Sequence, residues 1–384
     1  MNKKSSPSDS AYQSNQYRIE VSCQKEDPEW DAFVINCPDP HHEQTSLWGD
    51  LQRFGGWTPL RLICRKDSEI AGGVQILEQP FKRFGTIGYI NRGPLLAVDE
   101  PLIRQTLIDA IKNIGKTRRM IYLAIILPYK GQSFESDLLT AGFCICPERL
   151  PPTTSMKSTI VLNLTPDINE ILMKMRKKTR QHIRNAEKGG LTFRVGSESD
   201  VNTFKQLLFV LCQKRGVKPN IPPGDFLPEL WKAYAPKGYL RLFLTEFAGE
   251  AVGALMLFTM GDWIRAWRMG WSGRYDEVYP NDFIFWESIK WAKKNGYRFF
   301  DFVGFDTKYA KALIDNKPIP QDEICKMSFF KQGFGGEVLP LHPHYCLFFN
   351  PLLRFMCKAG GTYLLNSPIL KNFFAYSRKF RNWQ

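Results

Sequence analysis

The chain has 384 residues, too many for one hydrophobic core of ordinary size, so two domains are expected. With 43% hydrophobic and 14% aromatic residues it can build well-packed cores, which excludes a wholly disordered chain; no run of about 18 apolar residues occurs, which excludes a transmembrane helix. The formal charge of +14 favours a polyanionic partner, whether nucleic acid, a phosphorylated carrier or an anionic membrane face.

Residues 1–17, MNKKSSPSDSAYQSNQY, are polar and Ser-rich without an apolar stretch. That is the composition of a disordered tail and not of a secretory signal, so a cytoplasmic protein is expected. A first strand starts near Tyr17. Residues 44–54 carry a helical stripe of Leu47, Leu51 and Phe54, stopped by Gly55 and Gly56. Strands are predicted at 58–65, 70–78 and 87–91, then a helix at 102–114. The continuous apolar run MIYLAIIL, 120–127, reads as a strand covered on both faces. A helix near 134–141 leads to a linker-like break at 147–152.

The second half repeats this order. A helix is predicted at 200–215, a hairpin at 239–246 and 251–259, a strand at 263–271, a helix at 283–294 and a buried strand at 299–303. A helix, three meandering strands, a helix and a central strand thus occur twice, which predicts an α/β chain of mixed α+β sheets in two copies of one domain. The expected boundaries are a first domain over 18–150, a second over 151–340 and a C-terminal segment over 341–384. That segment mixes aromatic and aliphatic clusters with Arg354, Lys358, Lys371, Arg378, Lys379 and Arg381. It suits either packing on the first domain or contact with an anionic membrane.

Between the halves, residues 165–190 read as one amphipathic helix over 166–188, with Thr165 as N-cap and Gly189-Gly190 as stop. Ile168, Leu172, Met175, Ile183 and Ala186 form its apolar face. From Lys174 to Lys188 it carries seven Lys and Arg against Glu187 alone, and like charges this dense invite a phosphate-rich ligand. Lys177, Lys178, Arg180 and Arg184 are the candidate anion contacts.

The chemistry is expected in residues 298–337. An aromatic strand breaks at Gly304, and the segment ends in Phe329-Phe330-Lys331-Gln332-Gly333-Phe334-Gly335-Gly336. An ammonium beside three phenylalanines, Phe329, Phe330 and Phe334, is costly without an anionic partner, which makes Lys331 a candidate functional group. Nine cysteines form no C-x-x-C, and the His41-His42 and His342-x-His344 pairs lack neighbouring ligands, so no metal is expected. No cofactor is expected either.

The repeated order resembles the GNAT acyltransferase fold, in which a glycine-rich turn opening a helix holds the cofactor pyrophosphate on bare N–H groups. Residues 92–96 and 272–276 occupy the corresponding places and lack that pattern, which speaks against coenzyme A. Five ordered motifs are similar to the Fem aminoacyltransferases, which build peptidoglycan bridges from aminoacyl-tRNA. These are Gln44-Thr45-x-x-Trp48, Gly88-Tyr89-Ile90-Asn91-Arg92-Gly93-Pro94, Lys177-x-x-Arg180-x-x-Ile183-Arg184-x-Ala186, Asp301-Phe302-x-Gly304 and Phe330-Lys331-x-x-Phe334-Gly335. The resemblance is to short members without an inserted coiled-coil arm.

The resemblance implies two tandem GNAT-like domains, with the segment after Gly336 packed back on the first. It places Phe330 and Lys331 at the acyl-transfer centre. The sequence offers no convincing general base; Asp301 and Asp306 are candidates by position only, and the substrate's own amine or the tRNA 2′-hydroxyl could serve instead. Arg215 would hold the acceptor's diphosphate, Gln52 and Arg53 stand where the family has a lysine for it, and Trp48, Tyr89 and Arg92 join them as substrate contacts. Leu127-Pro128 replaces the family's Asp-Pro. The implied partners are aminoacyl-tRNA and a cell-envelope precursor, lipid-linked or not, acted on by a monomer with a peripheral contact at the inner membrane face. Two other classes fit the same residues: an N-acyltransferase using another donor in polysaccharide or lipid synthesis, and a non-catalytic RNA- or membrane-binding module.

Overall fold

The computed structural model describes residues 13–14, 16–81, 85–146, 157–319, 325–351 and 353–355. They form two compact units: residues up to 146 with 342–355, and residues 157–341.

In the first unit the strands Tyr17–Ser22, Thr58–Lys66, Glu69–Pro80 and Thr86–Asn91 form an antiparallel meander. Pro101–Thr117 is the crossover helix; Pro101 opens it, and Ile103, Leu107, Ile108 and Ile111 bury one face. It returns the chain to Met120–Ile126, parallel to Thr86–Asn91 over that strand's whole length. All seven residues of Met120–Ile126 are buried, as a strand covered on both faces requires. Its other edge is taken by Tyr345–Phe348, from far along the chain, and Cys144–Ile145 follows. His342 is held in the same unit by Glu135 at 2.6 Å and the Tyr129 carbonyl at 3.0 Å. Tyr17, counted by composition with the polar tail, is instead buried, and Gln13–Ser14 pairs with the start of Tyr17–Ser22. The linker at 147–152 and most of the C-terminal basic and aromatic segment lie outside the described residues.

The second unit repeats the plan. Thr192–Val195, Leu240–Phe247, Glu250–Met260 and Trp263–Trp271 meander, Pro280–Lys294 crosses over, and Phe299–Asp301 pairs in parallel with Trp263–Trp271. Ser158–Asn163 and then Glu337–Pro340 complete its far edge. One difference between the repeats matters. The second parallel pair holds only from Trp263↔Phe299 to Arg265↔Asp301, after which the two strands part.

The single basic helix over 166–188 is corrected to two, Ile168–Lys174 and Lys177–Lys188, and Asp167, not Thr165, caps the first. Met175 and Arg176 between them are extended, with ψ of 154° and 140°. The break persists because its polar groups find partners outside the helix. Arg176 N–H donates to the Gly333 carbonyl at 2.9 Å, and the Arg180 guanidinium takes the Met173 and Met175 carbonyls at 2.9 and 2.6 Å. The Lys331 segment, to which the sequence assigned no element, forms the helix Cys325–Gln332.

Candidate functional site

The parting of the strands shapes the site in the second unit. Asp301, the last paired residue, is fully buried. Its Oδ1 accepts from Thr159 Oγ1 at 2.6 Å and from Val303 N–H at 2.8 Å, and its Oδ2 lies 3.6 Å from Nε of the buried Arg265. The bond to Val303 fixes a β-branched residue at φ +47°, a strained conformation that persists only where its surroundings impose it. Gly304 follows at φ +71°. This bend turns the Val303 and Gly304 carbonyls toward Lys331, whose Nζ donates to them at 2.5 and 2.7 Å.

Lys331 sits in the last turn of Cys325–Gln332 and is partly buried. Burial pushes its ammonium down to about 8; the Asp301 carboxylate opposes this, and the Arg215 and Arg268 charges add to it. An ammonium has three donors, and the two carbonyls use two. Phe330 is half-buried, its ring 5.7 Å from Phe285 and 5.3 Å from Phe334 within an aromatic cluster that includes Phe302. Its packing keeps the helix seated.

The structure thus brings Lys331, Phe330, Asp301 and Arg215 together in one unit. Asp301, a candidate general base by position, is buried and engaged by Thr159 and Val303, and it holds the bend. Asp306 caps the helix Thr307–Ile314, accepting from Tyr309 N–H at 2.9 Å. Arg268, which sequence reasoning missed, donates to the Trp267 and Asn220 carbonyls at 2.9 and 3.2 Å. Arg265 and Thr159 were missed too; an arginine in the Trp-rich strand at 263–271 was the available signal.

In the first unit, Thr45 caps the Ser46–Leu51 helix, accepting from Trp48 N–H at 3.2 Å, and Trp48 packs edge-on against His42. Gln52 ends that helix, and Arg53 is paired with Asp50 at 2.5 Å. Tyr89 is buried, and its hydroxyl has no hydrogen-bond partner among the described residues. Arg92, at φ +56°, lies over the Tyr129 ring and donates to the Leu127 carbonyl at 3.4 Å.

Gln44 supports the Tyr89–Arg92 strand end: it donates to the Asn91 carbonyl at 2.6 Å and accepts from Gln75 N–H at 2.7 Å. A Cβ at Gly93 would stand 2.8 Å from the Gln44 side chain, so this backbone approach requires glycine. Gln44→Ala removes the partner of the buried Gln75 N–H and a bond to the part-buried Asn91 carbonyl, and is expected to lower stability by about 1–3 kcal/mol. Chemical denaturation checks this, and an unchanged midpoint would contradict it.

In the basic helix Lys177–Lys188, Lys177, Lys178 and Arg184 are exposed, whereas Arg180 is half-buried and occupied in capping. Among the described residues none of Lys177, Lys178, Arg184 and Lys188 has an acidic side chain within ion-pair distance. The strand-to-helix turns have the opposite sign. Pro101–Thr117 is preceded by Asp99 and Glu100. Pro280–Lys294 is preceded by Asp276 and Glu277 and carries buried Asp282 in its first turn, its carboxyl pushed up by burial. Carboxylates there oppose a pyrophosphate.

The model of the acetyltransferase (GNAT) domain family matches residues 173–311. Lipid II:glycine glycyltransferase of Staphylococcus aureus strain MRSA252 is 24% identical over 229 residues, 57% of this chain and 53% of that protein. The protein of the same name from strain NCTC 8325 / PS 47 is 23% identical over the same lengths. The chain therefore spans about half the length of the curated relatives it matches. Among solved structures, FemX superposes with a TM-score of 0.74 at 18% identity, covering 87% of this chain and 98% of FemX. The C-terminal domain of a putative lysylphosphatidylglycerol synthetase from Agrobacterium fabrum gives 0.53 at 13% identity, covering 88% and 95%.

The fold is that of a tandem GNAT-type acyltransferase, with two mixed sheets. Over 57% of its length the chain is similar in sequence to the lipid II:glycine glycyltransferases, and it shares its fold with FemX. No described helix exceeds the 17 residues of Pro101–Thr117, so the described residues contain no long helical arm.

Proposed function

We propose that this chain is an aminoacyltransferase that moves an aminoacyl group from aminoacyl-tRNA to an amine of a peptidoglycan or other cell-envelope precursor. Lys331 carries this reading: a partly buried ammonium holding two strand-end carbonyls, with one N–H left to donate. In the reaction the acceptor amine attacks the ester carbonyl, a C–N bond forms and the ester C–O bond breaks. One amine proton ends on the departing ribose oxygen, carried there by the substrates' own groups. The enzyme's part is to orient both substrates and stabilise the tetrahedral oxyanion, which the third N–H of Lys331 does. Arg215 and Arg268 add positive charge for the phosphates of either substrate.

The donor reading is supported by the acids at both strand-to-helix turns, which disfavour a coenzyme A pyrophosphate, and by the exposed face of Lys177, Lys178 and Arg184. A lipid-linked acceptor, the kind named in the glycyltransferase relatives, brings a monomeric enzyme to the inner face of the plasma membrane. The test is incubation with labelled aminoacyl-tRNAs and candidate precursors, with product identified by mass; turnover of acetyl-CoA instead would replace this reading with an ordinary N-acetyltransferase. Converting Lys177, Lys178 and Arg184 to alanine is expected to reduce the slope of log K for tRNA against log salt by roughly 2–3, at about 0.7–0.9 per lost phosphate contact. An unchanged slope would remove this face from the tRNA footprint.

A further inference from the structure

The break between Ile168–Lys174 and the basic helix Lys177–Lys188 lies against the end of the helix that carries Lys331. Arg176 makes three contacts there. Its N–H donates to the Gly333 carbonyl at 2.9 Å, its Nη2 donates to Gln332 Oε1 at 2.5 Å, and its guanidinium lies 3.6 Å from the centroid of the Phe329 ring. The neighbouring backbone is just as close: a Cβ at Gly333 would stand 2.5 Å from Thr179 Oγ1, and one at Gly335 would stand 2.9 Å from the Lys174 carbonyl. Gln332 Oε1 also accepts from Tyr309 OH at 3.3 Å, which ties the same point to the Thr307–Ile314 helix.

We propose that Arg176 is a positioning residue for the transfer reaction: it pins the C-terminal turn of the Lys331 helix to the junction between Ile168–Lys174 and Lys177–Lys188. The inference rests on the reading of Lys331 given above. A guanidinium suits the task because it is flat enough to stack on a ring while its fork still donates in plane. Its charge also faces the negative end of the Cys325–Gln332 helix. Phe329 is half exposed, and the Arg176 guanidinium over its ring gives it a partner at the surface. Because Arg176 is also the residue from which Lys177–Lys188 starts, the helix presenting Lys177 and Lys178 and the helix presenting Lys331 share one fixed point.

The experiment compares steady-state transfer by the full chain and its Arg176→Ala, Phe329→Ala and Lys331→Ala variants, with aminoacyl-tRNA as donor, across pH. Arg176→Ala is expected to lower kcat roughly tenfold or more while KM for the donor stays within about twofold, since a misplacement of about 1 Å costs rate more than binding. The alkaline limb, set by Lys331 among Asp301, Arg215 and Arg268, should move to higher pH as the loosened ammonium gains water. Phe329→Ala removes only the stack from an exposed site, so it keeps the test available if Arg176→Ala fails to fold; it should move both quantities the same way by less. Unchanged kcat and an unmoved limb, with Lys331→Ala still inactive, would overturn the inference alone. A loss confined to KM would also overturn it, making Arg176 a donor contact. Full activity in Lys331→Ala would instead remove the reading on which it rests.

Discussion

Lys331→Ala is expected to slow aminoacyl transfer by roughly 10²–10³, the usual loss when one preorganised donor to a developing oxyanion is removed. The site explains why no neighbour can substitute. The Val303 and Gly304 carbonyls lie 2.5 and 2.7 Å from Nζ and fix its position, while Asp301, the nearby carboxylate, is itself occupied by Thr159, Val303 and Arg265. Donor affinity should be nearly unchanged, because the exposed Lys177, Lys178 and Arg184 remain. Lys331→Met adds a stability readout whose sign is fixed by burial. The folded lysine titrates near 8 and the unfolded one near 10.5, so the unfolded chain binds more protons between those values. Below pH 8 the wild type bears the full penalty of a buried ammonium. Relative to Lys331→Met, its stability should rise from about pH 8 to 10.5, and denaturant midpoints at several pH values would show this. A flat difference would mean that the ammonium is not desolvated.

Asp301→Ala is expected to destabilise the second unit by about 3–5 kcal/mol, because it leaves the buried Arg265 without its charge partner. The same change releases Val303 N–H and Thr159 Oγ1 and removes what holds Val303 at φ +47°. Asp301→Asn keeps the shape and the acceptor oxygen but not the charge. It should fall between the two in thermal stability and lower activity through the Val303–Gly304 bend. If Asp301→Ala unfolded at the wild-type midpoint, the carboxylate would have no structural duty and the general-base assignment would return.

Elements whose cause is local were legible in the sequence. The run MIYLAIIL announced a doubly covered strand, and all of Met120–Ile126 is buried. Two turns of the same order, helix, meander, helix and strand, announced the tandem fold, because each depends on periodicity within a dozen residues. What was hidden depends on partners distant in sequence. The break at Met175–Arg176 is stabilised by Gly333, more than 150 positions away, while the apolar stripe through Met175 and Ile183 continued across it. Lys331 was visible as an anomalous charge among aromatics, but its two carbonyl partners exist only because the strands part after Asp301. Asp301 looked the same in sequence as a catalytic carboxylate or a satisfied one; its hydrogen bonds from Thr159 and Val303 are visible only in the structure. Gln44 was visible through the family resemblance, and its duty, joining Gln75 to Asn91, was not.

The most direct measurement is the single-turnover rate of acyl transfer from pre-charged aminoacyl-tRNA, taken from pH 6 to 10 for the wild type and for Lys331→Met. Dividing one rate by the other cancels titration of the acceptor amine and isolates the lysine. If the ammonium holds the oxyanion, the ratio is large and level at low pH and falls as pH passes about 8. A ratio that climbs through that pH would make the neutral amine the active form, and a ratio near one throughout would leave Lys331 outside the chemistry.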